Sequence, residues 1–277
     1  MKVKTFFDKQ TFTFTYVIID ETTEKCAVID SVLDFDIHSG TTKYDSANKV
    51  VDFITDNNLK NEWILETRVH ADHITAAHYL KEKIGGQIAI GSGIKDVLSF
   101  WVPKFENEKD TPVDGSQFDV LFNEGDEFCI GNLNVVVWHT PGHTPACASF
   151  LIDNSIFVGD TVFSPNLGTA RCDFPGGSAT KLYESIKRFY TLPDATTIYL
   201  GHDYPEEGQE PIYAVTVGES KEANKMLNGN TALEEFLLKR QTLDKSLAVP
   251  KLLFPSIQSN MRNGQFGSPT ARGQKFI

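Results

Sequence analysis

Residues 66–75 read Glu-Thr-Arg-Val-His-Ala-Asp-His-Ile-Thr, and this segment decides the fold. His70, Asp72 and His73 lie within four residues, after an apolar run at 63–65 that predicts a buried strand and before a predicted helix at 76–84. Two imidazoles and a carboxylate at a strand-to-helix corner form a ligand set for Zn, Fe or Mn. The structural alternative is that Asp72 is a helix N-cap, with His73 in the first helical position.

Three later segments repeat the pattern of a predicted strand followed by a potential ligand. These are His143 after residues 133–138, Asp160 after 155–158 and His202 after 197–200. Glycine or proline stands beside each of them and fixes a tight loop, and ligands carried on loops over a rigid scaffold form many metal sites. Taken singly, each is also consistent with an ordinary polar turn residue. Together, the four strand ends predict one metal centre.

Composition excludes several classes of protein. The 277 residues include 26 Lys+Arg and 37 Asp+Glu, for a net charge of −11, with 40% apolar and 11% aromatic residues. This composition is too rich in core-forming residues for a disordered chain, and its charge disfavours nucleic-acid backbones. No run approaches the ~18 apolar residues of a membrane span, and the first residues lack an apolar leader. The four cysteines form no CxxC pair and are too few for a disulfide scaffold. We therefore expect a cytoplasmic protein without nucleic-acid or membrane partners.

The order of predicted elements indicates an α/β sandwich. Strands are predicted at 11–19, 26–32, 63–65, 119–122, 127–130, 133–138, 148–152, 155–158 and 197–200, and helices at 45–58, 76–84, 179–190, 220–227 and 231–243. The last thirty residues are predicted to be an irregular, extended tail. This order favours two packed sheets flanked by helices. We expect one domain over 1–277, with a core at about 11–204 and a C-terminal extension at about 205–277.

At these residues the chain resembles the metallo-β-lactamase superfamily, whose signature is H-x-H-x-D-H followed by P-G-H-T, G-D and G-H. The corresponding segments are residues 68–73, 141–144, 159–160 and 201–202. The resemblance implies an αββα sandwich of two mixed sheets with a metal cleft at one edge. It implies metal ligands at His70, Asp72, His73, His143, Asp160 and His202, and a catalytic part for Asp72.

Shorter matches resemble the persulfide dioxygenase and glyoxalase II-like branch of that superfamily. They lie at residues 66–67, 71–75, 168–174, 202–204 and 260–262. Persulfide dioxygenases bind one Fe(II) through two His and one Asp, and use O₂ to oxidise glutathione persulfide to sulfite and glutathione. Glyoxalase II enzymes bind two metals and hydrolyse a glutathione thioester. Both activities imply a glutathione-type thiol substrate.

Arg68 departs from the signature, because it stands where the family has its first His. In persulfide dioxygenases that His is an iron ligand, and the other two ligands correspond to His143 and Asp160. A guanidinium has no lone pair to donate and stays protonated, so Arg68 cannot replace it as a ligand. Arg68 is therefore the residue that puts activity in doubt.

Three outcomes are open at this position. In the first outcome, His70 replaces the missing ligand. His70, His143 and Asp160 then form a two-His, one-carboxylate set suited to Fe(II). Alternatively the metal moves to the neighbouring site of Asp72, His73, Asp160 and His202, where Zn or Mn lowers the pKa of a bound water and supports hydrolysis. In the third outcome Arg68 pairs with Asp72 or Asp160 and its charge stands in for the cation, which leaves a metal-poor, weak or inactive protein.

Arg171, Tyr204 and Arg262 are candidates for substrate contacts. Arg171 follows Asp160 on a loop near the expected cleft, and its guanidinium can hold a glutathione carboxylate through two parallel hydrogen bonds. A purely structural role is the alternative for each of the three.

The sequence as a whole predicts a metal-dependent enzyme of thiol or sulfur metabolism, most like a persulfide dioxygenase. The expected cofactor is one divalent metal, Fe(II) in the first place and Zn(II) as the alternative. A zinc-type hydrolase of glutathione thioesters or related esters and a metal-poor, non-catalytic homologue are the other interpretations. The expected partner is a small thiol of the glutathione type, and a homodimer is left open.

Overall fold

Two six-stranded sheets face each other in the structure, a computed structural model that describes residues 1–269. The alternation in β2 (Thr13–Asp20) shows how they pack. Phe14, Tyr16 and Ile18 point into the core between the sheets, while Val17 and Ile19 pack on the opposite face. A strand buried on both faces in this way belongs to the interior of a layered fold.

The first sheet contains the strand that leads into the histidine-rich segment. Its order is β1 (Lys2–Asp8), β2, β3 (Lys25–Ile29), β6 (Lys60–Glu66), β7 (Gln87–Gly91) and β8 (Val120–Phe122). The first three strands pair antiparallel, and β3, β6, β7 and β8 pair in parallel. A separate hairpin is formed by β4 (Asp34–Asp36) and β5 (Thr41–Lys43).

The second sheet carries the other three potential ligands at the ends of its strands. Its order is β14 (Ala214–Thr216), β13 (Thr197–Tyr199), β12 (Ser155–Phe157), β11 (Ala148–Ile152), β10 (Leu133–His139) and β9 (Glu127–Ile130). All neighbours pair antiparallel except β12 and β13, which are parallel. Both sheets are therefore mixed.

Helices cover the outer faces of the two sheets. Apolar residues from α1 (Asp45–Asp56), α2 (Ala77–Ile84), α3 (Ile94–Phe105) and α7 (Leu253–Asn260) share a core with the first sheet. Residues from α4 (Ala179–Phe189), α5 (Val217–Ala223) and α6 (Leu233–Asp244) share one with the second. The predicted αββα sandwich is thus confirmed, whereas the prediction of one domain over 1–277 stays a prediction.

The prediction of an irregular, extended tail is wrong for α7. Pro255 is the third residue of this helix, where the backbone N–H has no intrahelical acceptor, so the missing proton costs no hydrogen bond. Leu253 and Ile257 bury their side chains in the first core. The part of the predicted tail at 270–277 lies outside the described residues. Along residues 1–269, no helix combines the length and the hydrophobicity needed to cross a bilayer.

Candidate active site

Four strand ends bring the predicted ligands to one edge of the sandwich. The segment at 67–76 follows β6, while His143, Asp160 and His202 follow β10, β12 and β13. Because β12 and β13 are parallel neighbours, Asp160 and His202 leave the sheet at the same edge. A Cβ at Gly201 would lie 2.8 Å from Asp160 Oδ1, so glycine is what lets these two strand ends approach.

The segment after β6 is held by residues far from it in the sequence. The Asp30 carboxylate accepts hydrogen bonds from Thr67 N at 2.8 Å and Thr67 Oγ1 at 2.7 Å. The Asn260 amide of α7 donates to the carbonyls of His70 and His73 and accepts from Thr75 N. Since α2 begins only at Ala77, the alternative that made Asp72 its N-cap is wrong.

Arg68 lies at the centre of the cleft and is only 1% exposed. Its Nη2 is 2.7 Å from Asp160 Oδ2, 3.0 Å from His202 Nε2 and 3.5 Å from Asp72 Oδ1. Burial acts to lower the pKa of Arg68, but the charges of Asp160, Asp72 and Asp30 outweigh it and raise that pKa. The site therefore contains a permanent positive charge supplied by the protein.

The structure places most of the predicted ligands around that charge. One ligand atom each from Asp72, Asp160 and His202 lies within 4.8 Å of the others, and the same is true of His70, Asp72 and His73. His143 Nε2 is 3.7 Å from Asp160 Oδ2, and its Nδ1 lies 2.8 Å from the carbonyl oxygen of Arg171. Burial lowers the pKa of His143, which favours the neutral imidazole that metals bind.

His70 and His73 differ sharply in their surroundings. His70 Nε2 lies 2.8 Å from Glu66 Oε2 and 3.3 Å from Asp30 Oδ1. Burial and Arg68 lower the pKa of His70, but these carboxylates prevail and raise it to about 9. His73 places Nδ1 2.9 Å from Asp72 Oδ2, and burial lowers its pKa to about 4. His70 Nδ1 and His73 Nε2 are buried without a hydrogen-bond partner among the described residues.

Arg68 also decides whether a divalent metal fits. The fold and the groups of imidazoles and carboxylates indicate a divalent metal site. The unpartnered ring nitrogens of His70 and His73 can each offer a lone pair to such a metal. However, Arg68 Nη2 lies within 3.5 Å of a potential ligand atom on each of Asp72, Asp160 and His202. A metal bound by those three atoms would occupy the volume of the guanidinium and would be repelled by its positive charge. The two therefore exclude each other. The observed arrangement therefore does not fit a metal there while Arg68 keeps its place.

A cavity of about 390 Å³ opens above this cluster. Its floor includes Asp72, His143, Asp160 and His202, and much of its wall is apolar, with contributions from Phe163, Leu167, Phe174, Leu243 and Leu247. Arg171 and Tyr204, the two candidates for substrate contacts, also line it, and their role stays a prediction. The Tyr204 ring lies parallel to the His202 ring, with 6.1 Å between their centroids.

The guanidinium of Arg171 is already engaged by the protein. Its Nε and Nη2 donate to the two oxygens of Asp173 at 2.6 and 2.7 Å, and its Nη1 donates to the carbonyl of Ala248. The two N–H groups of Arg171 that would bind a substrate carboxylate are thus already bonded to Asp173.

The structure does not bring Arg262 to the cleft. Arg262 is buried, donates to the carbonyl of Gln265 and to Thr111 Oγ1, and lines a separate cavity with Lys109.

Sequence reasoning missed Asp30 as a residue that shapes the site. It directly follows β3, but the predicted strand at 26–32 extends past it, so the pattern of a carboxylate after an apolar strand becomes visible only once the end of β3 is known. Thr13 was also missed. Its Oγ1 lies 3.4 Å from a ring nitrogen of both His73 and His202, but a threonine within a strand gives no sequence signal.

Comparison with known proteins places this fold and site in a family. The model of the metallo-beta-lactamase superfamily matches residues 9–202. The chain therefore belongs to the metallo-beta-lactamase superfamily, a group of metallo-hydrolases.

Individual relatives differ in the activity that their names state. The chain is 43% identical to "Glyoxylase B2" of Dictyostelium discoideum, over 100% of this chain and 95% of that protein. It is 44% identical to a "Beta-lactamase hydrolase-like protein" of Agrobacterium fabrum, over 99% of this chain but only 63% of that longer protein. It is 28% identical to the mitochondrial persulfide dioxygenase ETHE1 of Mus musculus, over 93% of this chain and 87% of that protein. The crystal structure of ETHE1 from Myxococcus xanthus superposes with a TM-score of 0.77 at 29% identity, covering 96% of this chain and all of that one.

Proposed function

We propose that this protein binds a glutathione-type thiol in a persulfide dioxygenase-like cleft, and that Arg68 takes the position of the catalytic cation and keeps turnover low. The observation that carries the proposal is the contact of Arg68 Nη2 with Asp160, His202 and Asp72. Because the guanidinium engages the atoms that a metal would bind, we expect oxygen chemistry only where the arginine is displaced or replaced.

The similarity to persulfide dioxygenases supports the choice of a sulfur substrate. The relative ETHE1 bears that activity in its name and matches most of both chains. The cavity beside Asp160 gives a small thiol access to the cluster, and Tyr204 and Phe174 offer ring surfaces to its carbon atoms. The residues that line the cavity would then bind and orient the thiol, while Arg68 supplies a permanent positive charge at the floor of the cavity.

The test compares the natural protein with Arg68→His after anaerobic purification. We expect little iron in the natural protein, and in the variant an iron content and an oxygen uptake with glutathione persulfide at least about tenfold higher, since restoring a ligand strengthens metal binding steeply. Arg188→His is the matched control, because Arg188 pairs with Glu124 at the surface. Stoichiometric iron with rapid turnover in the natural protein, or an Arg68→His variant that stays free of metal, would overturn the proposal.

A zinc-type thioester hydrolase is the second candidate. It requires Arg68 to leave the cluster of Asp72, Asp160 and His202, whose ligand atoms would then suit zinc. The Nε2 of His73, buried without a hydrogen-bond partner among residues 1–269, belongs to the same segment as Asp72. The name of the 43% identical relative from Dictyostelium points in the same direction. Bound zinc together with anaerobic hydrolysis of an acyl-glutathione by the natural protein would establish this candidate in place of the first.

A further inference from the structure

Arg262 is the one arginine among residues 1–269 that makes no ion pair with a carboxylate of that part of the chain. The other four, Arg68, Arg171, Arg188 and Arg240, are all paired with Asp or Glu. Arg262 is nevertheless only 7% exposed. Buried arginine side chains are almost always paired, because an uncompensated charge in the interior is costly. Arg262 therefore lacks the negative partner that a buried guanidinium requires.

Neutral groups satisfy the guanidinium of Arg262 only in part. Its Nε donates to the carbonyl of Gln265 at 3.3 Å, and its Nη1 donates to Thr111 Oγ1 at 3.2 Å. Its Nη2 is buried and has no hydrogen-bond partner among the described residues. Burial lowers the pKa of Arg262, but a guanidinium stays protonated at any ordinary pH. The positive charge is therefore permanent and only partly bonded.

A cavity of about 360 Å³ lies beside this charge. Its wall includes Arg262, the exposed Lys109 and Asp110. The Asp110 carboxylate accepts hydrogen bonds from the backbone N–H and the hydroxyl of Ser268. The residues that line the cavity thus carry two positive charges against one negative, in a chain whose net charge is −11.

A buried acceptor also belongs to the wall of this cavity. Gln117 lines it, and its Oε1 has no hydrogen-bond partner within residues 1–269. The Nε2 of the same amide donates to the carbonyl of Met261 at 2.7 Å, so turning the amide round would break that bond. A ligand with a negative oxygen and a hydroxyl would satisfy Arg262 and Gln117 together. Water would satisfy the hydrogen bonds but would leave the charge uncompensated.

We propose that this cavity binds a small oxyanion that also carries a hydroxyl group, of which hydrogen phosphate is the simplest example. The negative oxygens would pair with Arg262 and Lys109, and the hydroxyl would donate to Gln117. The cavity shares no lining residue with the cleft, so this site does not depend on the proposed thiol function.

The anion would bind at the turn that carries Asn260. Arg262 N donates to the carbonyl of Ser259 at 2.9 Å, and the carbonyl of Asn263 accepts from His78 N at 3.0 Å. Because Lys109 and Gln117 come from another part of the chain, an anion held between them and Arg262 would fasten this turn. Binding should therefore stabilise the folded protein.

Thermal unfolding of the whole protein in phosphate and in chloride, at equal ionic strength, tests the proposal. We expect about 10 mM phosphate to raise the Tm by about 3 °C. Lys109→Gln should remove at least about half of this rise, because it removes one of the two positive charges in the wall. Lys104→Gln is the matched control, because it removes the same charge from an exposed lysine that lies over the Phe100 ring and outside the cavity.

Calorimetric titration gives the stoichiometry and the specificity of binding. We expect one phosphate per chain, bound at least about tenfold more tightly than sulfate, which has no hydroxyl at neutral pH. Arg262→Gln should abolish this binding, and Lys109→Gln keeps the test valid if that variant does not fold. No rise of the Tm in the natural protein, or an equal rise in the two lysine variants, overturns the site. Equal affinity for sulfate and phosphate overturns the hydroxyl contact with Gln117.

Discussion

At the scale of the residue, the cleft is organised around the charge of Arg68. Three carboxylates, those of Asp30, Asp72 and Asp160, lie within 4 Å of its guanidinium nitrogens. A buried cation is tolerated only when it is paired and hydrogen-bonded. Arg68 is paired with Asp30 and with two carboxylates, Asp72 and Asp160, that the superfamily signature reserves for metal. Arg68 thus places a permanent positive charge in the site, while the surrounding fold is that of the superfamily.

His70 should make the stability of the metal-free protein depend on pH. Its folded pKa of about 9 lies above the unfolded value of about 6.5, so its contribution is fully present below pH 6.5 and is lost as the pH rises through 9. We expect chelator-treated protein to lose up to about 3 kcal/mol of stability over this range, measured by urea unfolding at several pH values.

His70→Gln should flatten that profile between pH 6.5 and 9. His78→Gln is the control and should leave the profile unchanged, because His78 is a partly exposed residue beside Glu82 at the surface. Parallel profiles for the natural protein and His70→Gln would show that the carboxylates of Glu66 and Asp30 do not hold the His70 proton.

At the scale of the element, helix α7 positions the segment after β6 through one side chain. Asn260 makes three hydrogen bonds of 2.8–2.9 Å to the backbone of His70, His73 and Thr75. These backbone groups have no regular strand or helix to pair with, because they lie between β6 and α2. The shape of the ligand-bearing segment therefore depends on a helix about 190 residues away in the sequence.

Asn260→Ala should destabilise the protein by about 3 kcal/mol or more, because it leaves buried backbone groups unpaired. Gln258→Ala is the control, since the Gln258 amide donates a long, 3.4 Å hydrogen bond to the Phe254 carbonyl of its own helix. Its loss should change stability by about 0.5 kcal/mol or less. Urea unfolding of the two variants measures the difference. Similar midpoints would mean that Asn260 does not support the segment.

The elements that the sequence failed to predict include β1, a seven-residue strand at the edge of its sheet that has no fully buried side chain. The others are short or weakly patterned. Strand β7 has five residues after Gly85-Gly86, and α3 contains Pro103 in its last turn. The hairpin β4–β5 and strand β14 have three residues per strand. Such segments adopt their structure because neighbouring strands and helices supply hydrogen bonds and burial, which a local window of sequence does not contain.

At the scale of the whole molecule, three apolar cores give the sandwich its layers. One core lies between the sheets and one lies under the helices on each side. The C-terminal residues Leu253, Ile257 and Met261 complete the core on the outer face of the first sheet. The segment that follows α6 is thus part of the packed structure.

A chain ending at Lys251 should lose cooperative unfolding. Burial of each of the three apolar side chains contributes about 1.5–3 kcal/mol, which together with Asn260 is comparable with the whole stability of a typical domain. Differential scanning calorimetry measures this, with full-length Phe254→Ala as the control because Phe254 is 58% exposed in the same helix. An unchanged cooperative transition in the shortened chain would contradict the role assigned to α7.

The class of fold follows from local patterns in the sequence, and the same patterns predict the residues that could bind metal. Strand-end patterns at His70, Asp72, His143, Asp160 and His202 are local, and the superfamily signature is read directly from their order and spacing. Because each ligand follows a strand, the pattern also indicated that these residues meet at one edge.

The directions of the side chains depend on the packing of the sheets and helices. Whether Arg68 faces Asp160, whether His70 faces Glu66 and Asp30, and whether Arg262 reaches the cleft all depend on partners far apart in the sequence. A buried side chain takes the orientation in which its charge and hydrogen bonds are best satisfied, and those partners exist only after the sheets have packed. For this reason the sequence left three outcomes open for Arg68, and the packed structure favours the one in which it pairs with the carboxylates.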